Sequence, residues 1–162
     1  MHRYRVTKYD PAFRTEAGAY SREEWTSFSD VGRSFGGVTL SQEEYLRVES
    51  AYVEAAASFL AEDQAPGLRV VGLEIRGDRP SAPIEGALVA RADLAAVCRS
   101  VLRGEFWCKL EADGHFVHFG WDYYMYVGVM RPCEGAILRA KSLGLFVEDF
   151  VSPYLLVDEE EG

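Results

Sequence analysis

Nowhere does this chain run apolar for the roughly 18 residues that a membrane-spanning helix requires, so no segment reads as a bilayer crossing. Cysteine is scarce and odd in number. Cys98, Cys108 and Cys133 form no C-x-x-C pair, and no histidine stands at zinc-ligand spacing from any of them. Free, buried thiols in a reducing compartment are the expectation, with no metal site. Positive charge is also short: 17 Lys and Arg face 26 Asp and Glu, for a formal net charge of -9. That balance argues against nucleic-acid binding, which needs a basic surface to displace counterions. No G-x-G-x-x-G, Walker loop, G-x-S-x-G or paired-carboxylate pattern occurs, so no cofactor is implied. Gly32 to Gly37 is glycine-rich but lacks the Lys-Ser/Thr of a phosphate loop. The opening MHRYRVTKYDP has bases without a following apolar run, unlike a secretory leader, and a cytoplasmic protein is expected.

What is present is material for a core. The chain has 162 residues, 48% hydrophobic and 13% aromatic, the size of one ordinary domain. A domain of this size buries about 70% of its unfolded surface and needs no staples.

Residues 3–9 alternate, with Tyr4 and Val6 on one face and Arg3, Arg5 and Thr7 on the other, as in a half-buried strand stopped by Asp10-Pro11. Residues 12–40 are least regular. Ser21 to Glu24 has the capping-box form, and Ser29-Asp30 could start a short helix ending at Gly36-Gly37. Ser41 to Glu44 is a stronger box, because Tyr45, Val48, Tyr52, Ala55, Ala56 and Phe59 then recur at helical spacing up to Pro66-Gly67. A helix over 42–62 follows. Residues 68–76 read as a strand with a bulge at Gly72, residues 84–90 as either strand or helix start, and residues 92–102 as a second helix. Residues 106–112 and a return strand from His115 flank Asp113-Gly114, a hairpin signal. Beyond Gly120 the return strand either continues to Tyr126 or turns and pairs again. A helix begins near Pro132, a last strand covers 145–151, and Asp158 to Gly162 is an acidic tail. The expectation is one α+β domain over 1–157, with a mostly antiparallel sheet and helices packed on one face.

The segment HFVHFGWDYYMY, residues 115–126, concentrates the chemistry-bearing side chains. His115 and His118 stand three apart, on opposite faces of a strand, and so cannot chelate one metal. If the strand runs on, Trp121, Tyr123 and Met125 share one face, and Asp122, Tyr124 and Tyr126 the other. Either one face is displayed, as an interface rich in Tyr and Trp would be, or both are covered and the hydroxyls are satisfied internally. Trp25 to Asp30 sets aromatic and polar groups together in an irregular stretch, where function often resides, though Trp25 also suits a core plug and Asp30 a helix cap. The candidate partner-binding residues are Trp25, Asp30, Trp121, Asp122 and Tyr124. The alternatives are an enzyme using His118 and Asp122 on a small molecule, and a homodimer formed by exposed aromatics. Were a cationic partner bound, Glu43, Glu44, Glu54 and Glu62 on the long helix would supply an attracting face.

RYRVTKYDPAFR, EEWTSFSDVG, HFGWDYYMYV and GLFVEDF together resemble small uncharacterised bacterial proteins. Some of these are similar to immunity proteins of polymorphic toxin systems, in which a cytosolic protein neutralises a secreted toxin domain. The resemblance implies a protein partner, such as a cationic toxin domain. It carries over no catalytic residue.

Overall fold

The computed structural model of the chain describes residues 1–75, 77 and 82–155, so the acidic stretch 158–162 lies outside the described residues. Its centre is a seven-stranded sheet built from β1 (His2–Thr7), β4 (Leu68–Ile75), β5 (Leu88–Val89), β6 (Phe106–Ala112), β7 (His115–Phe119), β8 (Met125–Val129) and β9 (Phe146–Asp149). The spatial order is β5-β4-β6-β7-β8-β1-β9, and every pairing is antiparallel. The fold is α+β, as the order of elements implied.

Three α-helices cover one face: α1 (Gln42–Glu62), α2 (Leu94–Leu102) and α3 (Glu134–Ser142). Helix α1 starts where the sequence placed it, because the Ser41 hydroxyl accepts the amide of Glu44, 3.1 Å away. Its apolar stripe, Tyr45, Val48, Tyr52, Ala56 and Phe59, is buried against Val6, Val117, Phe119, Met125 and Val127 of the sheet. Gly72 has φ +66, and the β4–β6 register shifts between Val71 and Glu74, so the expected bulge is present.

Residues 12–40 depart from expectation. No α-helix forms at Ser21 or Ser29; single 3₁₀ turns occupy Pro11–Phe13 and Phe28–Asp30. Gly36-Gly37 instead turns a two-residue hairpin, β2 (Ser34–Phe35) with β3 (Val38–Thr39). A single 3₁₀ turn or a two-residue strand is too short to produce a period, so only its cap residues show in sequence.

The second face of the sheet is also covered, which corrects the half-buried reading of β1. Residues 150–154 cross it as a strap. Phe150 stacks on Tyr126 and lies 4.0 Å from the Arg5 guanidinium, and Tyr154 packs on Trp107 at 5.3 Å. Glu148 bonds Arg5 at 2.7 Å beneath this layer.

Candidate functional site

The chain does not run on as a strand through Tyr126. β7 stops at Phe119, and residues 120–124 form a turn closed by Gly120 N–H donating to Tyr124 O at 2.9 Å. Asp122 and Tyr123 both take left-handed backbone angles, φ +63 and +68. Each such non-glycine residue costs about 1 kcal/mol or more and persists only where its surroundings fix it. Here they do. Tyr9 donates to Asp122 O at 2.6 Å, Tyr52 to Tyr123 O at 2.9 Å, and the Trp107 indole to Phe119 O at 2.8 Å. Burial pushes the Tyr9, Tyr52 and Tyr123 phenols well above the ordinary tyrosine range, so they remain donors at neutral pH.

The turn separates side chains that an unbroken strand would have aligned. Trp121 points outward with 79% of its surface exposed, and Asp122 is exposed beside it. Tyr123 points inward, edge-on to Trp25 at 4.9 Å, and its hydroxyl donates to Tyr45 at 3.0 Å. Tyr45 in turn donates to Glu49 at 2.7 Å, and Arg103 forks onto the same carboxylate at 2.7 and 2.8 Å. Glu49 is 1% exposed and also pairs with Arg99 at 3.7 Å, so this network of phenols, one carboxylate and two guanidiniums forms a polar but satisfied floor.

Above that floor lies a cleft of about 440 Å³, between Thr26–Ser29, the end of α2, the start of β6 and the 120–124 turn. Its lining includes the buried apolar side chains of Leu102, Phe106 and Phe119. The lining also carries Trp121, Phe28, Trp107, Tyr154 and three carboxylates, Glu74, Glu105 and Asp122. Arg103 is the cation that lines it among the described residues, and Glu49 already engages that guanidinium.

Of the five candidate residues, the structure unites Trp121 and Asp122 at this cleft. Trp25 is 8% exposed and belongs to the core. Asp30 is 8% exposed and accepts the amides of Thr26 and Ser27, so it holds the loop that walls the cleft. Tyr124 turns away from the cleft, stacks on Tyr9 at 5.1 Å and accepts from... Arg14 at 3.0 Å.

The histidines part as their spacing required. His115 faces the helices and bonds Asp63 at 2.6 Å. Burial works against ionisation of Asp63, yet the Met130 amide, His115 and the Arg131 amide hold its carboxyl below the usual range. His118 faces the strap, with Nδ1 2.7 Å from Ser152 Oγ and Nε2 2.8 Å from Glu111. The His118 bond also holds the Glu111 carboxyl below its ordinary value. Serine, histidine and acid in a row resemble a nucleophile relay, but both Ser152 and His118 are 0% exposed. Neither lines the cleft, and His118 does not meet Asp122. The row therefore fastens the strap to the sheet.

All three cysteines are free and buried, and burial pushes the Cys98 thiol up to about 12. Among the described residues no group of three His, Cys, Asp or Glu is placed to hold a metal ion, and no helix is long and apolar enough to cross a membrane. Of the four α1 acids expected to form an attracting face, Glu43 is exposed and the other three are engaged within the chain. Glu44 pairs with Arg47, Glu54 with Arg139, and Glu62 accepts the first amides of α3.

Compared with protein-family models, curated proteins and solved structures, the chain matches none.

Proposed function

We propose that this chain is a cytoplasmic protein-binding protein of the immunity type, which neutralises a toxin domain by docking over it with the Trp121 face. The observation that carries the reading is Trp121: a large apolar side chain, 79% exposed, on a turn whose backbone is fixed from within. Exposed tryptophan is common among residues that dominate interfaces, and a side chain presented rigidly loses little entropy on binding. The adjoining cleft falls in the size range of binding pockets, roughly 300–1,000 Å³. Its free carboxylates, with the net charge of -9, favour a cationic partner surface. An enzyme using His118 and Asp122 has less support, because one is sealed beneath the strap and the other stands at the cleft.

The test is to search the genes beside this one for a toxic domain and to co-express it with the chain; a neighbourhood that encodes none would count against the immunity role. Wild type should restore growth, and Trp121→Ala should fail to do so at equal protein level. Rescue by the variant equal to wild type would remove the Trp121 face from the mechanism. Absence of rescue by wild type would remove the immunity role.

A further inference from the structure

We infer that the cleft is a socket for an arginine side chain projected by the partner, an inference that rests on the protein-binding reading above and names the chemistry it selects. Three features converge. The first is aromatic surface. Elsewhere the chain stacks its own cations on rings: Arg5 lies 4.0 Å from the Phe150 centroid, Arg22 4.4 Å from Phe13, and Lys8 4.3 Å from Trp25. No ring or cation of the described residues packs on Trp121, so among them its cation-attracting indole face is open.

The second feature is charge. Glu74, Glu105 and Asp122 line the cleft without an ion pair among the described residues. Arg103 is bound bidentately to Glu49, which also pairs with Arg99 at 3.7 Å, so this cluster carries one cation that offsets part of their charge. Three lining carboxylates against one lining cation leave the cleft net negative beside an open indole.

The third is shape. A cavity of about 440 Å³ admits a side chain of arginine's length, and Glu74, Glu105 and Asp122 share its lining with Trp121. Arginine fits this arrangement better than lysine. Its guanidinium is planar and weakly hydrated, stacks on an indole, and forks onto a carboxylate in the same pose. A protein-borne arginine fits better than a free amine, because Trp121 rises from the rim, where a facing surface would cover it.

The experiment uses the intact chain and defined probes, followed by calorimetry or tryptophan fluorescence. A short capped peptide with one central arginine is titrated beside its lysine and citrulline versions and beside free spermidine. Citrulline keeps the shape and removes the charge, so this comparison needs no protein variant. The arginine peptide should bind at least about tenfold tighter than the citrulline peptide, and tighter than spermidine. Trp121→Ala and Glu105→Gln should each weaken it at least about fivefold, with thermal melts confirming that both variants fold.

Equal binding of the arginine and citrulline peptides would overturn the cationic socket. Spermidine binding as tightly as the peptide would make the site one for free amines and overturn the protein-borne arginine. No saturable binding below about 10 mM peptide would overturn the socket outright. These outcomes separate from those of the growth test. Loss of peptide binding with rescue intact removes the socket alone, and loss of rescue with peptide binding intact removes the immunity role alone.

Discussion

Residues 115–119 and 120–124 are consecutive and share an aromatic-rich composition, yet the fold treats them oppositely. All five residues of the first group are buried, His115 and His118 on opposite faces, each bonded to a carboxylate. The second group is a turn that buries Tyr123 and exposes Trp121 and Asp122. Composition does not decide which group is available to a partner. The difference comes from two left-handed residues, and those are held by phenols from Tyr9 and Tyr52, far away in sequence. A rigid exposed side chain thus depends on a buried scaffold that is itself silent in binding.

The contrast can be broken first on its buried side. Phe119→Ala removes a ring that is 2% exposed in the core, and should cost about 3–5 kcal/mol in a denaturant melt. A cost below about 1 kcal/mol would mean that the strand is not sealed as described.

Asp63→Ala should cost about 2–3 kcal/mol, because His115 and the amides of Met130 and Arg131 lose a charged acceptor. The same carboxylate gives a pH signature. Its folded value lies below the unfolded one of roughly 3.9, so its stabilisation is fully present above that pH and disappears as pH falls through the folded value. Melts of wild type and Asp63→Asn between neutral and acidic pH should converge as acid is added. A gap that widens in acid would reverse the sign assigned to Asp63.

On the turn itself the expected effect is smaller. Asp122→Val places a β-branched residue at φ +63, which should cost about 1 kcal/mol. Urea melts should resolve it, and an unchanged midpoint would show that the left-handed backbone is not strained there.

Much of the frame was legible in sequence, and the reasons are local. Helix α1 was placed over 42–62 because a serine cap, a regular apolar stripe and Pro66-Gly67 agree along one segment. The β6–β7 hairpin was marked by Asp113-Gly114. What escaped notice depends on distant partners. The break at Gly120 leaves no glycine signature at Asp122 or Tyr123, and the bond from His118 to Ser152 spans 34 positions. Trp25 and Trp121 were equal candidates as residues. Only the fold shows that one stands against Tyr123 in the core while the other stands in solvent. The Glu49–Arg103 pair under the cleft could have been noticed as an acid within the apolar stripe of α1, beside Tyr45 and Tyr52.

The most direct test of the Trp121 face is a calorimetric titration of a toxin domain that the chain neutralises in co-expression into wild type and Trp121→Ala, with thermal melts of both proteins. Expected is a Kd about 30-fold weaker for the variant, equivalent to about 2 kcal/mol, with the two melting curves superimposed. An unchanged Kd, or a weaker Kd accompanied by a clearly lowered Tm, would contradict the assignment of Trp121 as an anchor displayed on a stable scaffold.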